Sequence, residues 1–216
     1  MSEESATGTG ERTVGSWLEG LGSDEPTPGG GAFAAVSAAA GAALIAMVAR
    51  LTLGRKGFEE QDERMREVVR RADDARAAFL RMADRDAAAF EAVMQAFRMP
   101  KHGDDQQEAR TRAVQSAYLG AAEVPMEVAE RAVDLMPLAR ETTAHGNANA
   151  ASDGYSGAVA LSGAVLCAAA NVRINAASLK DEATRRELID RVDGLRETAA
   201  DHLRETEMAF GVRLQA

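Results

Sequence analysis

Apolar and polar positions along this chain repeat at helical spacing almost throughout, and no alternating strand pattern stands out. In "TVGSWLEGLGSD", Val14, Trp17, Leu18 and Leu21 fall on one face, which predicts a short first helix. Gly22 to Gly31 reads as a loop, followed by a second helix ending near Leu53-Gly54. From Phe58 to Met99 there is neither glycine nor proline. Met65, Val68, Ala72, Ala75, Phe79, Met82, Phe90, Val93 and Phe97 recur there in steps of about three and four, the signature of one long amphipathic helix, here expected to bend. Pro100 and Gly103 stop it. Asp104 or Asp105 can cap the next helix, from Gln106 to about Ala122. Pro125 is expected to kink that helix or open a new segment to about Ala144, with Pro137 as a second irregularity. "HGNANAASDGYSG" breaks the pattern before a small-residue helix that runs to about Ser178. Asp181 to Leu214 is charged and amphipathic, as an outer helix would be. With no internal repeat, the expectation is an all-α multihelical bundle of about six helices in one domain, residues 11–216, behind a frayed tail of residues 1–10.

Composition sharpens this picture. Aromatic residues make up only 4% of the chain, so its core must rely on close approach of small side chains. Pro26–Ala49 and Gly154–Val172 are uncharged and long enough in parts to span a bilayer. They consist largely of Ala, Gly and Ser rather than Leu, Ile and Phe, which favours buried helices of a soluble protein over membrane spans. The net charge of −9 argues against a nucleic-acid partner, which needs a basic face. A single cysteine, Cys167, excludes an internal disulfide, and "MSEESATGTGERT" lacks the basic and apolar regions of a secretory leader. Both point to the cytoplasm.

Four segments carry polar groups where chemistry is possible. In "PTPGGGAF", three glycines open a helix; their N–H groups can cradle an anion, or the run can serve as a hinge or a close packing point. Asp86 has Phe79, Met82, Phe90 and Val93 as its neighbours along the apolar stripe and therefore faces inward, whereas Asp84 and Glu91 face elsewhere. A desolvated carboxyl has a raised pKa suited to proton transfer. The competing reading is a structural ion pair with Arg50 or Arg173. "GNANAASD" offers Asn147, Asn149, Ser152 and Asp153 as ligand contacts or as caps of the following helix, and "NVRIN" places Asn171, Arg173 and Asn175 where amides need partners. Arg55 and Lys56 sit at a helix break, suited to the dipole or to a carboxylate. His102, His145 and His202 are dispersed with no metal-binding motif, and Cys167 reads as a core residue.

Taken in order, "PTPGGG", "MVARLTLGRK", "DRDAAAFEAVMQAFRMP", "GNANAASD" and "NVRIN" resemble the cyclodeaminase/cyclohydrolase family of folate enzymes, over roughly Val14 to Asp181. The resemblance implies an all-helical subunit that forms a homodimer, with a tetrahydrofolate derivative as substrate near the subunit contact and with neither metal nor cofactor. It puts proton handling on Asp86, the acid of a "D-A-x-A-F" segment. Substrate binding is expected from Pro28, Gly29, Gly30, Gly31, Arg55, Lys56, Asn147, Ser152, Asp153 and Asn171. Ala32 stands where the family commonly has Ser. The implied reaction is hydrolysis of 5,10-methenyltetrahydrofolate to the 10-formyl form. The alternatives are release of ammonia from 5-formiminotetrahydrofolate, or a helical folate-binding or scaffold module without catalysis.

Overall fold

The computed structural model describes residues 8–215. Among them are six α-helices: α1 (Val14–Leu21), α2 (Gly30–Arg50), α3 (Asp62–Arg98), α4 (Asp104–His145), α5 (Ala151–Ala176) and α6 (Glu182–Arg213). Short 3-10 turns lie at Thr9–Glu11, Glu59–Gln61 and Ala148–Ala150. Of the expected tail, residues 1–7 lie outside the described residues. Thr9 is held to α3, its N–H and hydroxyl both donating to Asp84 Oδ1 at 2.8 and 2.6 Å.

The two uncharged helices form the centre. α2 packs against α3 and α5, and α5 in turn against α4 and α6. Small residues make this possible. A Cβ added at Gly41 would lie 2.9 Å from the Gly157 carbonyl oxygen, so the backbones of α2 and α5 meet at that crossing. Around this seam the larger side chains Ile45, Phe79, Met65, Met136, Leu138 and Leu161 are fully buried. Replacing one of these by alanine costs about 2–5 kcal/mol in a core packed this tightly. α1 is attached through Trp17, its one buried side chain.

Helix ends follow local chemistry. After Arg50 the chain leaves helix through Gly54 and Gly57, at φ +65° and +89°, where the left-handed region favours glycine. α2 thus stops a turn before the expected Leu53-Gly54. Gly103, at φ +83°, opens α4.

The clearest departure from expectation is α4. Neither Pro125 nor Pro137 ends it; both lie inside one helix of 42 residues. A proline lacks the N–H that would bond the carbonyl four residues back. For Pro125 that is the Ala121 carbonyl, and Asn175 of α5 donates to it through Nδ2 at 2.9 Å. The neighbouring helix supplies the missing donor, and packing of α4 against α5 and α3 holds the rest straight through.

Candidate active site

The N-terminus of α2, the middle of α3, Tyr118 and Ala121 of α4 and the end of α5 enclose a cavity of about 350 Å³. Gly29, Gly30, Gly31, Asp86, Asn171 and Asn175 form its polar side; Phe90, Val93, Met94, Phe97, Tyr118 and Ile174 form its apolar side. That combination, an apolar hollow with a few convergent polar groups, is what a small-molecule site requires. A larger groove along α3 and α4, about 660 Å³, is lined by Ala89, Ala92, Gln95, Ala96 and similar residues without any titratable group. It offers nothing to perform chemistry.

Asp86 sits half-buried against the opening turn of α2. A Cβ at Gly31 would fall 2.0 Å from Asp86 Oδ1 and 2.6 Å from its Cγ, an impossible overlap. A Cβ at Gly30 would lie 3.0 Å from Asn171 Nδ2. The glycine run is therefore explained by side chains of this same chain: glycine at 31 admits the carboxyl, and glycine at 30 gives Asn171 room. Burial pushes the Asp86 pKa above the usual aspartate value, and the backbone N–H of Ala32 opposes that rise without cancelling it. The competing ion pair is not formed. Arg50 bonds Asp73 and Arg173 bonds Asp193, and among the described residues no cation pairs with Asp86. Asp84 takes the Thr9 bonds and Glu91 takes Arg98, so both face away as expected. Ala32, where a serine hydroxyl was expected from the family resemblance, is buried.

Of the other expected binding residues, Gly29, Gly30, Gly31 and Asn171 line the cavity with Asp86. Pro28 is turned away from it, toward Gly20, where a Cβ would lie 3.6 Å from Pro28 Cδ and 3.1 Å from Arg12 Nη2. Arg55, Lys56, Asn147, Ser152 and Asp153 are at the opposite end of α2. A helix of its 21 residues separates the two ends by about 30 Å. Arg55 and Lys56 are exposed in the α2–α3 connection. Asn147 is a buried structural group: its N–H donates to Thr52 Oγ1 at 2.9 Å, and its Oδ1 accepts from the Asn149 N–H at 3.1 Å. Gly146 belongs to the same joint, since a Cβ there would meet the Thr142 carbonyl at 2.4 Å. Ser152 is exposed and Asp153 half-buried in the first turn of α5, where a carboxylate complements the helix dipole. Within one chain, these five residues do not reach the Asp86 cavity.

Pro26, Thr27, Tyr118, Ala121, Ile174 and Asn175 also line the cavity and were not among the expected contacts. Asn175 was legible as a buried amide in need of a partner; Tyr118 and Ala121 carry no local signal and come to the cavity only through the packing of α4.

An all-α fold with a half-buried acid in a glycine-walled hollow defines a helical enzyme-like subunit with a small-molecule site. Residues 13–194 match the family described as Formiminotransferase-cyclodeaminase, and the chain belongs to that family. It is 36% identical to the methenyltetrahydrofolate cyclohydrolase of Methylorubrum extorquens over 86% of this chain and 89% of that protein. It is also 36% identical to the formimidoyltransferase-cyclodeaminase of Sus scrofa, over 83% of this chain but 33% of that longer protein. The crystal structure of formiminotetrahydrofolate cyclodeaminase from Thermotoga maritima superposes with a TM-score of 0.85 at 26% identity, covering 95% of this chain and 98% of the other.

Proposed function

We propose that this protein hydrolyses 5,10-methenyltetrahydrofolate to 10-formyltetrahydrofolate, with Asp86 as general acid and base. The observation that carries the reading is the Asp86 carboxyl, unpaired and raised in pKa, at the polar side of a cavity otherwise built for an apolar ring. The likeness to the Methylorubrum cyclohydrolase over nearly the whole of both chains supports the choice of substrate.

The chemistry uses the parts in order. The substrate bridge is a cationic N–C–N unit, already electrophilic, so the reaction calls on neither metal nor cofactor. The Asp86 carboxylate draws the cation to the α2 end of the cavity and takes a proton from the attacking water. A hydroxyl adduct forms at the bridge carbon. Asp86 then returns the proton to N5 as the carbon–N5 bond breaks, and the adduct hydroxyl loses its proton to solvent. The formyl group remains on N10. A carboxyl whose pKa is raised by burial is better suited to take and then give a proton in this way; such a group is worth about a hundredfold or more in rate.

Release of ammonia from 5-formiminotetrahydrofolate is the second reading, favoured by the overlap with the Thermotoga cyclodeaminase. There the same proton goes to the departing amine. Side-by-side assay separates them. Loss of the methenyl chromophore well above the buffer rate supports the first reading. Ammonia release without it transfers the assignment to the second, and binding with neither leaves only a folate-binding module.

The same reading makes the protein a cytoplasmic homodimer. Phe33 and Met47 of α2, Leu51 just beyond its end, and Val159, Leu166 and Ile174 of α5 are exposed, and Ile174 also lines the cavity. These outer stripes flank the α2–α5 seam and carry no charge between Phe33 and Met47 or between Val159 and Ala170. A second copy docked antiparallel on this face would bring Arg55 and Lys56 of the partner subunit toward the Asp86 end, next to a cavity that has no cation among its described lining residues. A parallel copy would instead gather the cationic ends together, against their mutual repulsion.

A further inference from the structure

The Asn175 amide is restrained at both hydrogens of its Nδ2. One donates to the Ala121 carbonyl at 2.9 Å, the other to the Asn171 carbonyl at 3.0 Å. Both partners are acceptors, which fixes which end of the amide is nitrogen. Its donors are thereby used up, and the group it has left to offer the cavity it lines is Oδ1, an acceptor. The restraint originates in α4: the Ala121 carbonyl is open because Pro125 has no N–H to give it. Asn171 differs. Its Nδ2 spends one hydrogen on the Cys167 carbonyl at 2.9 Å and keeps the other, together with Oδ1, so it can meet a donor or an acceptor.

We infer that Asn175 is a substrate-binding residue that accepts a hydrogen bond from the 2-amino group of the pyrimidinone ring, and that Pro125 is the positioning residue that holds it in that role. This assignment rests on the folate reading above. An acceptor that cannot rotate into a donor discriminates by chemistry: a ligand with an N–H at that point is bound, and one without it leaves the half-buried Oδ1 unpaired against the ligand. The arrangement also gives the proline inside α4 a purpose, since an ordinary residue at 125 would close the Ala121 carbonyl with its own N–H and release the amide.

Asn175→Ala alone would orphan the Ala121 carbonyl, so the informative protein is the Pro125→Ala/Asn175→Ala double variant, in which the helix satisfies that carbonyl itself. Four proteins (parent, each single variant, and the double variant) are titrated with 5,10-methenyltetrahydrofolate and with its 2-desamino analogue, and their melting temperatures are recorded. The parent should bind the analogue about tenfold more weakly, the magnitude of one lost hydrogen bond. The double variant should bind both ligands alike, with KM for the natural folate raised about tenfold and kcat little changed. Asn175→Ala should lower Tm in the parent background but not in the Pro125→Ala background. Equal discrimination by parent and double variant, or none in the parent, overturns the ligand assignment. An equal Tm loss in both backgrounds overturns the positioning role of Pro125. A parent that binds neither folate removes the ligand assignment together with the folate reading, while the melting comparison still decides the role of Pro125.

Discussion

The two ends of α2 look alike in sequence and do different work. Each has glycines, each meets an asparagine from another part of the chain, and each was expected to touch substrate. At the N-terminal end the glycines make space for side chains that line the cavity: Gly31 for Asp86 and Gly30 for Asn171. At the C-terminal end Gly146 and Gly154 make space for the chain itself, against Thr142 and Thr143, and buried Asn147 is bonded within the chain: its main-chain N–H donates to Thr52, its Oδ1 accepts from the Asn149 N–H and its Nδ2 donates to the Leu51 carbonyl. A conspicuous cluster of polar and small residues thus borders a cavity at one end and forms a joint at the other. What separates them is whether the polar groups border open space: Asp86, Asn171 and Asn175 line a cavity, whereas Asn147 is buried and bonded within the chain.

Substitutions at the two ends should therefore fail in different ways. The largest effect expected is from Gly31→Ala, which drives Asp86 out of place: turnover should fall roughly ten- to a hundredfold, the order associated with misplacing a reacting group by about 1 Å, as read by the decay of methenyl absorbance. Parental turnover in that variant would mean that the close approach of Asp86 to α2 is unimportant. Asn147→Ala should do the reverse. It removes a buried partner and should cost about 1–3 kcal/mol in denaturant unfolding while kcat in the folded protein stays within twofold or so. A large loss of kcat with full stability would put the joint into the site after all.

A subunit-mixing experiment sharpens the comparison further. Asp86→Asn and an Arg55→Glu/Lys56→Glu variant are each expected to be poor enzymes. If the two ends meet across a dimer, their random mixture contains heterodimers with one intact site, and about a quarter of parental activity should return. No recovery, with dimers present by sedimentation, would leave Arg55 and Lys56 as ordinary surface cations.

The smallest effect is a pH dependence of stability. Asp86 has a folded-state pKa above its unfolded value near 3.8. Between these values the native state binds more protons, so this group's contribution is complete below the unfolded value and is lost as pH rises through the folded one. Asp86→Asn should therefore melt higher than the parent at neutral pH, with the difference shrinking in acid. A variant that is less stable at neutral pH would mean that the carboxylate is a structural asset rather than a strained one.

Much of the fold was legible because helical periodicity is local. The stripe from Met65 to Phe97 located α3 and turned Asp86 inward, and the breaking residues placed most ends within a few positions, although Asp104, Asp105, Ser152 and Asp153 lie inside the helices they were expected to cap. The continuity of α4 was not legible, because the donor that compensates for Pro125 comes from Asn175, 54 positions beyond the Ala121 carbonyl that it bonds. The site was half legible for a related reason. Periodicity says which face of a helix a residue occupies, but not which end of the bundle a loop returns to. Asp86 and the glycines were found from their own helices. Tyr118 and Ala121 had no such signal, and the "GNANAASD" segment was placed at the site by its polar composition and by the family resemblance, neither of which says where its loop packs.

The decisive measurement is the single-turnover rate of Asp86→Asn with saturating 5,10-methenyltetrahydrofolate, with binding measured on the same sample. Asparagine keeps the shape but cannot exchange a proton. Binding should survive, while decay of the methenyl chromophore slows at least tenfold and by about a hundredfold if proton transfer limits the step. Decay at the parental rate in a fully bound variant would show that the carboxyl beside Gly31 takes no part in the reaction.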